Sequence, residues 1–159
     1  MRTKLLHILR NLFWAGIIGF IPIQYGLADD YMKGLAKERI SVKALLPQMP
    51  SKTIIHQEYS YPKETPLLEA YLIEIPVGQA TSIHSHQVPL LAYILSGQLE
   101  TNYGSKGVKI SKEGDIFVEA MEWCHFGKTI GSSPVRILAI YLNSQDSKQA
   151  KSSECKALQ

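Results

Sequence analysis

From residue 53 onward, apolar and polar side chains alternate with the two-residue period of strands rather than the 3.6-residue period of helices. The alternation predicts strands over residues 53–59, 67–75, 82–86, 90–95, 98–103, 108–111, 115–119, 125–129 and 135–142. Turn chemistry punctuates them. Two prolines, Pro62 and Pro66, forbid regular pairing between the first two strands, and Pro76-Val77-Gly78 closes the second. Ser96-Gly97, the stretch from Gly104 to Gly107, Glu113-Gly114, and the stretch from Gly131 to Pro134 separate most of the others. About nine short strands with such regular breaks predict an all-β sandwich or barrel over residues 53–143.

The flanks read differently. Residues 29–52 begin with two aspartates and carry Leu35, Ile40, Leu45 and Leu46 among lysines. They form an arm with a short amphipathic helix, or two turns broken at Ser41-Val42. Asp29 or Asp30 would cap the helix, Pro47 would end it, and Gly34 weakens it. Residues 144–159 are rich in Ser, Lys and Gln, have no core-forming pattern, and are expected to be a disordered polar tail.

Residues 1–28 read as a secretory signal. A basic start precedes an apolar run from Leu12 to Ile23, and Gly26-Leu27-Ala28 supplies small residues for cleavage. The run would be roughly 18 Å long as a helix, short of the roughly 20 residues that cross a bilayer. The competing reading is an uncleaved anchor extending back over Arg10 and His7. Removal of the signal changes the charge. The whole chain has 17 Lys and Arg against 14 Asp and Glu. Arg2, Lys4 and Arg10 leave with the signal, so 14 of each remain and the formal charge falls from +3 to zero. Nothing basic then favours nucleic acid or a membrane surface. The expected location is periplasmic or secreted.

The remaining chemistry sits in two stretches. Residues 78–97, GQATSIHSHQVPLLAYILSG, carry His84 and His86, which point to one face of a strand. Residues 114–129, GDIFVEAMEWCHFGKT, add His125. Three imidazoles placed in this way can form a three-nitrogen metal site, whereas His56 lies outside both stretches and reads as structural. Cys124 and Cys155 could pair in an oxidising compartment, although Cys155 falls in the polar tail. Cys124 has three readings: a small buried apolar residue, a redox-sensitive thiol beside the metal, or a ligand. The last conflicts with neighbouring strand residues facing opposite ways.

These stretches resemble the two motifs of the cupin superfamily. The first motif is Gly, five residues, His-x-His, three or four residues, Glu, six residues, Gly. Gly78, His84, His86 and Gly97 stand in register, with Leu90 at the Glu position. The second is Gly, five residues, Pro-x-Gly, two residues, His, three residues, Asn. Gly114 and His125 match, while Ala120, Glu122 and Thr129 occupy the Pro, Gly and Asn positions. The resemblance implies an all-β, single-domain jelly-roll barrel with a metal near its middle and a homodimer formed through barrel faces. It maps His84, His86 and His125 onto three of the usual four ligands and leaves Leu90, which cannot coordinate, in place of the fourth.

Three neutral ligands leave the full +2 charge on a divalent ion and up to three open positions, which suits an anionic chelating molecule. Fe(II) in such a site suits oxygen activation, and Zn(II) suits hydrolysis. Imidazole does not choose among Fe, Zn, Mn, Ni and Cu. Leu90, Ala92 and Ile94 share the ligand-facing parity and predict an apolar pocket wall. Trp123 shares a face with His125 and reads either as a further wall or as core packing. Glu119 and Glu122, the carboxylates of the 119–125 segment, read as a base, a fourth ligand or solvated surface groups. The function expected is a metal-binding cupin that acts as a dioxygenase or Lewis-acid enzyme on a small chelating organic molecule. The alternative is a non-catalytic periplasmic module for capturing a small ligand or a metal. No Ser-His-Asp order or paired carboxylates point to other catalysis.

Overall fold

A computed structural model describes residues 52–145 and 152–159, together with Gly34, residues 40–41 and residues 43–46. The expected signal segment lies outside the described residues, and so does most of the expected helical arm. The described strands all belong to the second of two units, Ala44–Gln159. Among the described residues, no helix is long and apolar enough to cross a membrane.

The strands in chain order are β1 (Pro66–Ile75), β2 (His84–His86), β3 (Leu90–Ser96), β4 (Gln98–Asn102), β5 (Val108–Lys112), β6 (Ile116–Val118), β7 (Phe126–Ile130), β8 (Val135–Ser144) and β9 (Ser152–Glu154). One layer has the order β1-β8-β3-β6 and another β5-β4-β7, all antiparallel. Isolated antiparallel bridges at Ala80–Lys128 and His84–His125 bring the segment ending in β2 alongside the chain around β7, and β9 pairs with β2. Alternation in the sequence becomes alternation in burial. In β8 the side chains of Val135, Ile137, Ala139 and Tyr141 are buried, while Arg136 is exposed. Ile75, Ala92, Ile94, Leu99, Phe117, Val135 and Ile137 form one cluster spanning both layers. Burying such side chains is worth about 1.5–3 kcal/mol each.

Gly97 carries the chain from β3 in one layer to β4 in the other with φ of 80°, a conformation that favours glycine. A Cβ there would also fall on the carbonyl of Pro134. This turn therefore tolerates no side chain for two separate reasons.

Two sequence expectations are corrected. Residues 53–59 do not form a strand. Thr53 and His56 close a tight turn, with His56 N–H donating to Thr53 O (2.8 Å), and His56 adopts φ of 67°. One backbone bridge remains, Thr53–Val118, and the Gln57 side chain supplies the further pairing. Its Nε2 donates to Met121 O (2.9 Å) and its Oε1 accepts from Met121 N–H (3.0 Å). The second correction concerns the tail. Ser152–Glu154 pair with β2, Cys155 N–H donates to Ile83 O (3.0 Å), and Ser105 N–H donates to Gln159 O (2.7 Å). Backbone pairing needs no apolar pattern, so composition alone could not reveal it. Cys124 and Cys155 form a disulfide with Cα atoms 5.9 Å apart, so Cys124 is neither a free thiol nor a ligand.

The bridge closes a separation of 31 residues, worth about 3–4 kcal/mol in the chain-entropy account. The Cys124→Ser/Cys155→Ser double variant should lose stability on this scale in urea unfolding, relative to the oxidised wild type. Coincident unfolding curves would show that the bridge contributes nothing to the fold.

Candidate metal centre

The three histidines are brought together by backbone pairing. His84 N–H donates to His125 O, and His125 N–H donates to His84 O, each at 2.9 Å. Residues paired directly across an antiparallel bridge present their side chains to the same face. His86 lies two residues further along β2, so it joins that face. Its carbonyl accepts from Glu122 N–H at 2.7 Å, which ties the far side of the triad to the same segment. Ring centroids are 4.9 Å apart for His84–His86, 4.7 Å for His84–His125 and 5.1 Å for His86–His125. One ligand atom from each ring lies within 4.8 Å of the others. Bonds of about 2.1 Å would draw such atoms to roughly 3–3.5 Å from one another.

The donor set suits a divalent cation. His84 Nδ1 lies 2.8 Å from Ser82 O, and His125 Nδ1 lies 2.8 Å from Trp123 O. A carbonyl oxygen only accepts, so each Nδ1 carries the proton and each Nε2 keeps its lone pair for a metal. Burial lowers the pKa of His84 below its ordinary value. The hydrogen bond to Ser82 opposes this shift, His125 adds to it, and Glu119 opposes it more weakly. Neutral imidazole is the ligating form. His86 and His125 are 4% and 2% exposed.

The triad lines a cavity of about 120 Å³ between the two layers. Its walls include Ile73, Leu90, Ala92, Phe117 and Ile137, with Glu119 beside the histidines. Leu90 and Ala92 stand where alternation puts them. Ile94 is not among the cavity-lining residues; it is fully buried in the core cluster with Val135 and Ile137. Trp123 is not a cavity wall either. It packs with Ile55, Tyr103 and Ala120, and its Nε1–H donates to Tyr103 O at 2.8 Å. Strand parity fails here because residues 119–125 form no regular strand, and Glu122 turns the chain with φ of 51°.

The two glutamates diverge for the same reason. Glu122 is exposed. Glu119 is buried, with Oε2 3.9 Å from His125 Nε2. Sequence reading passed over Tyr103, which is fully buried and donates its O–H to Glu119 Oε1 at 2.5 Å. The inward parity of Leu99, Thr101 and Tyr103 was the available signal. It also passed over Tyr141, whose ring centroid lies 5.9 Å from that of His86.

Because the native pKa of His84 is depressed, the unfolded chain takes up its proton first as pH falls. Metal-free protein should therefore lose stability as pH drops below about 6.5, until the lower native pKa is passed. The His84→Gln variant should lose less over the same window. Parallel stability–pH curves for the two proteins, measured by urea unfolding in the presence of chelator, would contradict the assigned shift.

No protein-family model matches the sequence, and none of the curated protein sequences does. Solved structures do resemble it. An oxalate decarboxylase from Lactobacillus farciminis, in complex with formate, is 21% identical over 57% of this chain and 27% of its own, with a TM-score of 0.47. A DMSP lyase from Ruegeria pomeroyi is 22% identical over 55% of this chain and 42% of its own, also with a TM-score of 0.47. A cupin-like protein from Thermotoga maritima is 17% identical over 55% of this chain and 64% of its own, with a TM-score of 0.49. The matched region thus spans less than two thirds of each of these proteins. The antiparallel layers and the histidine cluster agree with the all-β barrel expected from the spacing of the two glycine–histidine motifs.

Proposed function

We propose that the chain binds one divalent transition metal through His84, His86 and His125, and acts there on a small chelating organic molecule. The observation that carries this reading is the position of the triad: three imidazole ligand atoms within 4.8 Å of one another, lining a largely apolar cavity. Fe(II) held there would supply oxygen activation, and Zn(II) would supply Lewis acidity for hydrolysis. The chain's own residues do the rest. Ser82 and Trp123 carbonyls orient two imidazoles, and the apolar walls exclude water from the bound molecule. At about 120 Å³, the cavity is well below the ~300 Å³ of a drug-sized site. This favours small diketones, thiols or carboxylates over flavonol-sized substrates.

A second reading is a non-catalytic module that captures a metal or small ligand, and Leu90 in place of the motif carboxylate supports it. The disulfide supports export to an oxidising compartment such as the periplasm. A homodimer is supported by the exposed apolar side chains of the edge strand β1, Leu67, Leu68, Tyr71 and Leu72.

Elemental analysis of the full chain, purified without a histidine tag or chelator, should find about one equivalent of metal, and the His84→Ala/His125→Ala double variant should retain none. Stoichiometric metal in the double variant would sink the assignment. Oxygen uptake by the iron-loaded protein with a small diketone or thiol would favour the enzyme. Saturable binding without turnover would favour capture.

A further inference from the structure

Leu90 removes the carboxylate expected from β3, yet a carboxylate still reaches the histidines from the adjoining strand. Glu119 directly follows β6, the neighbour of β3, and its N–H donates to Leu90 O at 2.8 Å. It is therefore the cross-strand neighbour of the residue that cannot coordinate. Its side chain is 8% exposed and lines the same cavity as Leu90. A carboxylate in such a place is costly unless its oxygens are engaged. Oε1 is held by two donors, the Tyr103 O–H (2.5 Å) and the Ala120 N–H (2.7 Å). Burial, reinforced by the carboxylate itself, pushes the Tyr103 pKa upward, so the phenol keeps its proton and remains a donor. Oε2 faces the triad, 3.9 Å from His125 Nε2.

The backbone around Glu119 is clamped as well. Ile54 N–H donates to Val118 O (2.8 Å), and the Gln57 side chain pairs with both backbone groups of Met121. A glutamate present only to satisfy Tyr103 would need one acceptor oxygen, which a glutamine also provides. The second oxygen, aimed at an imidazole, is what that simpler role leaves unexplained.

We propose that Glu119 supplies the fourth protein ligand of the metal centre, taking from the neighbouring strand the place that Leu90 leaves empty. The proposal rests on the three-histidine reading and deepens it. One anionic ligand lowers the net charge of a divalent site to +1 and leaves two open positions on a six-coordinate ion. That number fits a bidentate molecule.

The test uses Co(II), whose visible bands report the ligand set, added to the full chain after chelator treatment. Wild type should bind one Co(II). Glu119→Gln, which keeps an acceptor for Tyr103 and Ala120, should bind about tenfold more weakly or worse and shift the visible bands. Glu119→Asp keeps the charge but withdraws it by one methylene, and its bands should shift too. Tyr103→Phe leaves both carboxylate oxygens in place, so it should keep bands close to wild type. Wild-type bands in both Glu119 variants would overturn the proposal while leaving the histidine site intact, even if affinity fell. Absence of Co(II) binding by wild type would overturn the histidine reading and this inference with it. Circular dichroism of each variant separates loss of a ligand from loss of the fold.

Discussion

The arrangement of this barrel turns on one reciprocal backbone contact, the pair of hydrogen bonds between His84 and His125. It links the segment ending in β2 to the chain entering β7, and the same contact puts two imidazoles on one face. Structural closure and ligand placement are thus a single event. A slip of one residue in this pairing would turn one imidazole to the opposite face. The register is held on both sides, by the Ala80–Lys128 bridge and by the hydrogen bond from Glu122 to His86.

Around that contact the chain spends polar groups where a simple barrel would use strands. Gln57 pairs with Met121 through its side-chain amide, and Trp123 donates to Tyr103 O. These bonds keep an irregular segment, residues 119–125, in a defined path past the cavity. Irregular backbone carries unpaired polar groups that must be satisfied somewhere. Here its partners come from remote positions, which is why the segment can deliver Glu119 inward and Glu122 outward.

The C-terminal residues supply a second layer of restraint. Ser152–Glu154 extend the sheet past β2, and the Cys124–Cys155 bridge fastens them one residue from His125. The strand that bears two histidines is therefore flanked on both sides by pairing partners. Without β9 it would be a three-residue edge strand, the kind of element most open to fraying.

The local pattern was enough to place most strands and the histidine triad, because alternation and turn residues act over a few positions and need no knowledge of the remainder. Parity likewise placed Leu90 and Ala92 on the cavity wall. It failed wherever the chain stopped being a strand. Ile94 kept its inward parity but is packed into the core cluster rather than lining the cavity, a distinction that a two-residue period does not encode. Trp123 turned to the Tyr103 cluster because Glu122 breaks the period. Residues 53–59 had a strand's composition but kept a single backbone bridge and paired further through a glutamine side chain, and the polar tail found its partner through backbone pairing and a disulfide. The sequence determined which residues could ligate a metal. Only the tertiary structure decided that Glu119, and not a residue of β3, brings a carboxylate to them, because that depends on which strands lie side by side and where an irregular segment bends.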